Sequence, residues 1–337
     1  MKRISVTAPG KLYVMGEYSI LTPGQTAVIV PAPFHLTAIL QEADNYHLMS
    51  ELLGDSATME PDDKYALIQE TISLVETFLH HIGQAIKPFH LKILGELGQE
   101  GKKFGLGSSG CVVVLVVKAL LTFYDYPYQS DELFRLAALV LLRRGDTGSL
   151  GDLACISHEK LVAYRSFDRK RVREHLLSDG IKAVLASDWG YDITPIVAKG
   201  HWQLLVGWTQ SPALSHQMVD GVKEHLTNCF RQEMEEATQD FIQALETGQT
   251  TTVLSAFHLA GTLLQTLDPS IYTKSLHQLV QLAESQGIVA KSSGAGGGDC
   301  GLALCEYSQD SEKLATTWRE WGILPLATIM IGGQDES

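Results

Sequence analysis

The stretch Lys102-Lys103-Phe104-Gly105-Leu106-Gly107-Ser108-Ser109-Gly110, followed at once by Cys111-Val112-Val113-Val114-Leu115, constrains the fold more than any other part of this sequence. Its glycines allow a tight turn whose N–H groups come close to an anion. Its serine hydroxyls suit a helix cap, a phosphate oxygen or a Mg²⁺ ion. Val112, Val113, Val114, Val116 and Val117 favour a strand, but Lys118, Ala119, Leu120 and Leu121 extend the segment past ordinary strand length, which predicts a helix. Such a helix turns the positive end of its dipole toward the loop. The two lysines add mobile positive charge, so the segment reads as a place to hold a polyphosphate. The alternative is a turn between core elements, with the serines as ordinary caps. The residue order is neither that of a Walker A loop, which carries its lysine inside, nor that of the dinucleotide fingerprint.

With 337 residues, 45% hydrophobic and 19% charged, the chain is long enough for two globular domains with real cores. Its longest apolar runs, Cys111 to Val117 and Leu136 to Leu142, are seven residues each, too short to span a bilayer. Met1-Lys2-Arg3-Ile4-Ser5 lacks the apolar core of a signal peptide, so a cytoplasmic protein is expected. The five scattered cysteines, Cys111, Cys155, Cys229, Cys300 and Cys305, read as buried free thiols. His158-Glu159 lacks a second histidine at zincin spacing and is given no metal role. A net charge of −13 argues against nucleic acid or an anionic membrane as partner. A phosphate site on such a chain must gather its cations locally. Lys11, Lys102, Lys103, Arg143, Arg144 and Lys291 all lie in or beside glycine-rich segments.

Alternation at Ile4, Val6 and Ala8, and at Leu36, Ala38 and Leu40, predicts strands; Phe89 to Leu94 predicts another. Tyr65, Ile68, Ile72, Val75 and Leu79 mark one helical face, and Leu133, Ala137, Val140 and Leu141 another. Beyond a boundary placed near Thr194-Pro195, the pattern predicts a strand over 203–209 and helices over 215–247, 251–267 and 271–285. A glycine-rich turn, a strand over 301–306, a helix over 311–321 and a strand over 324–331 complete it. Glu233, Glu235, Glu236 and Asp240 read as a solvated helix face.

Three further segments can carry chemistry. In Ala8-Pro9-Gly10-Lys11-Leu12-Tyr13-Val14-Met15-Gly16-Glu17-Tyr18, Pro-Gly predicts a turn, with Lys11 at the start of a strand, either on the surface or aimed at a phosphate. Arg143-Arg144-Gly145-Asp146-Thr147-Gly148-Ser149-Leu150-Gly151-Asp152-Leu153-Ala154 follows a helix. There Asp152 precedes small and apolar residues, so it is either a loop cap or a partly buried carboxylate, which a neighbouring lysine would keep ionised. Lys291-Ser292-Ser293-Gly294-Ala295-Gly296-Gly297-Gly298-Asp299-Cys300 is costly to order, which suggests close backbone approach to a ligand or another loop.

Together these segments resemble the GHMP kinase superfamily. Its three motifs correspond to Pro9 to Glu17, Gly105 to Ser109 and Gly294 to Gly298, in order and across essentially the whole chain. Cys111 departs from the pattern, standing where a small residue such as serine is common. The segments are most similar to the branch whose acceptor is phosphomevalonate. The resemblance implies an α/β (α+β) protein of two domains, 1–194 of the ribosomal protein S5 type with ATP and Mg²⁺, and 195–337 of ferredoxin-like type. The acceptor would lie in the cleft between them. The chain would be a monomer or homodimer.

The resemblance also implies roles. Gly105, Leu106, Gly107, Ser108, Ser109 and Gly110 would cradle the ATP phosphates, with Ser108 or Ser109 helping to hold Mg²⁺. Lys103 would neutralise the transferring phosphoryl group, with Lys102 as the weaker candidate. Lys11 would bridge the two phosphates and pair with Asp152. Tyr18, Arg144, Ser149, Ser293, Gly294 and Ala295 would bind the acceptor. In mevalonate kinases the aspartate at this position is considered a base acting on a hydroxyl. A phosphate acceptor is already nucleophilic, so Asp152 is expected to orient Lys11 instead. A kinase acting on a hydroxyl, a catalytically silent sensor on the same fold and a structural α/β protein are the alternatives.

Overall fold

Apolar residues at every second position fold residues 3–195 around one long sheet, as a computed structural model of the chain shows. The structure describes residues 2–95, 97–99, 102–211, 215–307 and 311–333. The first part runs β1 (Arg3–Met15), β2 (Thr26–Glu42), β3 (His47–Ser50), β4 (Ser56–Ala57), α1 (Ala66–His81), β5 (Phe89–Leu94), β6 (Gly98–Gln99), β7 (Lys102–Lys103), α2 (Ser108–Phe123), α3 (Ser130–Arg144), α4 (Gly151–His158), β8 (Val162–Arg165), α5 (Arg169–Ala186) and β9 (Asp192–Pro195). The second runs β10 (His201–Trp208), α6 (Ser215–Val222), α7 (Asn228–Thr247), α8 (Thr250–Leu267), α9 (Lys274–Glu284), β11 (Val289–Ser292), β12 (Cys300–Glu306), α10 (Ser311–Glu320) and β13 (Leu324–Gly332).

In the first sheet β2 pairs antiparallel with β1 along almost its whole length. It also pairs with β8 over Thr26 to Ile29 and with β5 over Thr37 to Glu42. The second sheet has the order β11-β12-β10-β13, all antiparallel. The last strand of the first sheet ends at Pro195 and the first strand of the second begins at His201.

The two cores meet across β1 and β2. Ala8, Ala27, Ile29 and Leu36 face the core shared with α2 and α4, while Leu12, Val14, Val28 and Val30 face the core of the second sheet. A period of two sends Lys11 and Tyr13 to the opposite face from Leu12 and Val14, toward the α4 side.

Four sequence expectations change. Pro9-Gly10 is not a turn but a bulge inside β1: Pro9 lies opposite His35 and Gly10 opposite Ala32. A bulge tolerates the missing N–H of proline. The single helix expected over 215–247 is α6, a 3-10 turn at Lys223–His225, and α7. Thr227 restarts the chain as α7, its hydroxyl accepting from the Phe230 N–H at 3.1 Å. Cys229, in the first turn of α7, is exposed, while the other four thiols are buried. Glu235 is no idle surface charge: its carboxylate accepts from the Thr26 N–H at 2.7 Å and the Thr26 hydroxyl at 2.8 Å, tying α7 to β2. The helix after the glycine loop runs over Ser108–Phe123, so segment length outweighs the strand preference of its valines.

Candidate active site

The loop between β7 and α2 turns because Gly105 and Gly107 take positive φ, 80° and 75°. Gly107 is the residue before α2, and no side chain caps the helix. The first intrahelical bond runs from the Cys111 N–H to the Gly107 carbonyl at 2.9 Å. The N–H groups of Ser108, Ser109 and Gly110 thus have no partner inside the helix and stand at its positive end.

A cleft of about 500 Å³ opens there. From the first motif it is lined by Lys11, Tyr13, Glu17 and Tyr18, and from the glycine loop by Lys103 and Gly105 through Gly110, Leu106 excepted. Asp146, Ser149 and Asp152 complete another wall, with Gly294, Ala295 and Asp299 opposite. A second cavity of about 340 Å³ adjoins it and shares Lys103, Ser108 and Ser109. Its walls include Leu52, Leu53, Leu67, Ile68, Leu97 and Val112.

Close packing places the charged groups. The Lys11 N–H donates to the Leu106 carbonyl at 2.9 Å, joining β1 to the glycine loop. A Cβ on Gly107 would stand 2.6 Å from Lys11 Cε, so glycine there lets the lysine stem pass beneath the loop. Lys11 Nζ lies 5.1 Å from the centre of the Tyr13 ring. Asp152 sits in the first turn of α4, and a Cβ on Gly110 would stand 2.9 Å from its Cγ. Burial raises the Asp152 carboxyl above its usual range, the positive charge of Lys11 opposes that rise, and Asp146 adds to it. The two side chains interact across the cleft without an ion pair within 4.0 Å.

The third motif is held down by the first. The Tyr18 hydroxyl donates to the Ala295 carbonyl at 2.5 Å, and the Ser293 hydroxyl to the Tyr13 carbonyl at 2.8 Å. Lys291, fully buried, pairs with Glu17 and also donates to the Ser292 carbonyl at 2.9 Å. Asp299 reaches the glycine loop, where a Cβ on Gly105 would meet its Cγ at 2.5 Å. Ser149 is buried, its hydroxyl 2.7 Å from that of Tyr13.

Lys11, Tyr18, Lys103, Gly105, Gly107, Ser108, Ser109, Gly110, Ser149, Asp152, Gly294 and Ala295 thus share one cleft. Leu106 turns its side chain into the second core and contributes its carbonyl instead. Ser293 is buried behind the wall. Arg144 is not brought in: at the end of α3 it pairs with Glu70 at 2.5 Å. The side chain of Lys102 lies outside the described residues. Glu17, Tyr13, Asp146 and Asp299 were not singled out from the sequence as site residues. Only their places inside the glycine-rich segments could have marked them.

Two families match this chain. GHMP kinases N terminal domain matches residues 66–160, and GHMP kinases C terminal matches residues 241–324. The chain is 33% identical, over 95% of both chains, to the phosphomevalonate kinase of Streptomyces sp. (strain CL190). It belongs to the GHMP kinases, with their two-domain fold. Its structure is similar to that of the Streptococcus pneumoniae phosphomevalonate kinase in complex with phosphomevalonate and AMPPNP. The TM-score is 0.95 and the identity 43%, over 97% of this chain and 100% of that one. The Methanococcus jannaschii mevalonate kinase shares the fold, with a TM-score of 0.67 and 16% identity over 98% of each chain. Among the described residues no helix is long and apolar enough to cross a membrane.

Proposed function

We propose that this chain transfers the γ-phosphoryl group of ATP to the phosphate of 5-phosphomevalonate, giving 5-diphosphomevalonate and ADP in the mevalonate route to isoprenoids. The observation that carries this reading is the cleft itself, which gathers Lys11, Lys103 and the free N–H groups of α2 on a chain of net charge −13. The 43% identity to a phosphomevalonate kinase solved with phosphomevalonate supports it.

The acceptor phosphate has a second pKa of about 6, so at neutral pH it is largely dianionic and needs no base. One of its oxygens attacks the γ-phosphorus. The bond from that phosphorus to the β–γ bridging oxygen breaks, and ADP leaves with the electron pair. Catalysis is then positioning and charge neutralisation. The N–H groups of Ser108, Ser109 and Gly110 hold the ATP phosphates. Lys103 neutralises the transferring group, and Lys11 bridges donor and acceptor. Asp152 orients Lys11. Tyr18, Ser149 and the Gly294-Ala295 backbone hold the acceptor, and the apolar second cavity takes the nucleoside.

The residues also fit Mg²⁺ carried by ATP, since Ser108 and Ser109 line both cavities and Asp299 lines the first, against Gly105 of the same loop. When bound, the ion supplies neutralising charge to the β- and γ-phosphates. Residues 1–194 would carry ATP and residues 195–337 close over the acceptor, in a cytoplasmic monomer or homodimer. Release of ADP with phosphomevalonate, compared with mevalonate and homoserine, tests the reading.

A further inference from the structure

One residue on the floor of the cleft ties together three of the segments that build it. Tyr13 lies on β1 opposite Ile29 of β2, inside the sheet. Its ring sits beneath Lys11 Nζ, its hydroxyl meets the Ser149 hydroxyl, and its carbonyl accepts from Ser293. The close fit is built in: a Cβ on Gly151 would stand 2.6 Å from the Tyr13 hydroxyl.

Either hydroxyl can donate in this contact, and the hydrogen-bond valences of Ser149 give the consequence when Tyr13 does. A serine hydroxyl offers one donor and two acceptor positions. The Gly151 N–H already donates to Ser149 Oγ at 3.3 Å. If the Tyr13 hydroxyl donates as well, both acceptor positions are filled. Only the Ser149 proton is then left to donate, and Ser149 lines the cleft. Burial first, and then the Asp152 charge, raises the Tyr13 hydroxyl well above its ordinary range, while the bond to Ser149 works the other way; the hydroxyl keeps its proton.

We propose that Tyr13 is the positioning residue of the acceptor site: its hydroxyl turns the Ser149 O–H toward the acceptor phosphate, and its ring holds the Lys11 ammonium between the two phosphates. This rests on the roles given above to Ser149 and Lys11. A tyrosine placed only to fill the core would make the ring contacts without serving two polar groups of the cleft at once.

Two variants separate the two contacts. Tyr13→Phe keeps the ring and removes the hydroxyl. It should raise the KM for phosphomevalonate about tenfold, as expected for one hydrogen bond to a charged group, with the KM for ATP and kcat within about twofold of wild type. Tyr13→Leu also removes the ring and should lower kcat a further three- to tenfold or so. In a Ser149→Ala background, Tyr13→Phe should change the acceptor KM by less than about twofold, because the hydroxyl acts through Ser149. An unchanged acceptor KM in Tyr13→Phe, or an equal effect with and without Ser149, would overturn the proposal. Circular dichroism of Tyr13→Phe should match wild type and its thermal transition should fall by only a few degrees, the effect of one lost hydrogen bond, so the variant is fully folded in the kinetic assay. Absence of turnover by the wild-type chain would instead overturn the reading of the site, and the proposal with it.

Discussion

Glu17 and Lys291 form a buried ion pair between chain segments 274 residues apart, joining the first motif to the third. Burial lowers the Lys291 ammonium below its usual range, and Glu17 pulls it back. Among the described residues Glu17 Oε2 has no hydrogen-bond partner of its own. Removing one member leaves an uncompensated charge in the interior. Glu17→Leu or Lys291→Met alone should cost about 3–5 kcal/mol of stability, while the double variant should recover most of that loss. Urea unfolding of the three variants checks this; losses that simply add would contradict it.

Gly110 is helical yet close to Asp152. On helix propensity alone, Gly110→Ala would stabilise α2 by about 1 kcal/mol. The added methyl would stand 2.9 Å from Asp152 Cγ, which forces the carboxylate out of place. We expect Gly110→Ala to lower the urea midpoint and cut turnover. In an Asp152→Ala background the same change should raise the midpoint. A raised midpoint in both backgrounds would show that Asp152 yields freely.

The raised carboxyl of Asp152 fixes the sign of a pH effect. Its folded-state pKa lies above the ordinary 3.8, so the native state binds its proton more tightly than the unfolded chain does. Its contribution to stability is full below 3.8 and is lost as pH rises through the folded value. Asp152→Asn should therefore stabilise the unliganded protein at neutral pH, with no gain at pH values below 3.8. Thermal unfolding across pH reads this directly; a variant less stable at neutral pH would contradict it.

For turnover, Lys11→Met should cost about 10²–10³-fold in kcat, as loss of a charge that stabilises the transition state. Asp152→Asn should cost less and keep the acidic limb of the pH profile, the side on which a protonated base would fail. An equally severe loss, with that limb abolished, would return Asp152 to the role of base.

Tyr18→Phe removes the hydroxyl that holds Ala295. Burial raises this hydroxyl far above neutrality, so it donates at all working pH values. The KM for phosphomevalonate should rise about three- to tenfold, with little change for ATP. Steady-state kinetics with each substrate varied in turn measures the split.

Much of the fold and part of the site were legible in the sequence, because they rest on local chemistry. Gly105 to Gly110 and the helix after it follow from glycine conformation and segment length. Lys11, Ser149 and Asp152 each sit in a short glycine-rich segment that marks them. What was not legible depends on pairing across the chain. The bulge at Pro9-Gly10 needs the register of β2, and the reach of Glu235 to Thr26 needs the packing of α7 on the first sheet. Arg144 has the right charge and neighbourhood, but α3 ends with Arg144 turned to Glu70 on α1. The bonds of Tyr13 to Ser149 and Ser293 span 136 and 280 residues, beyond any local pattern.

The central claim is that a phosphate, not a hydroxyl, is the acceptor in this cleft. The most direct test is ADP release from Mg-ATP with phosphomevalonate, mevalonate or homoserine offered separately. Turnover with phosphomevalonate alone is the predicted result. Turnover with only a hydroxyl acceptor would contradict it, leaving the fold intact and requiring Asp152 to take the proton.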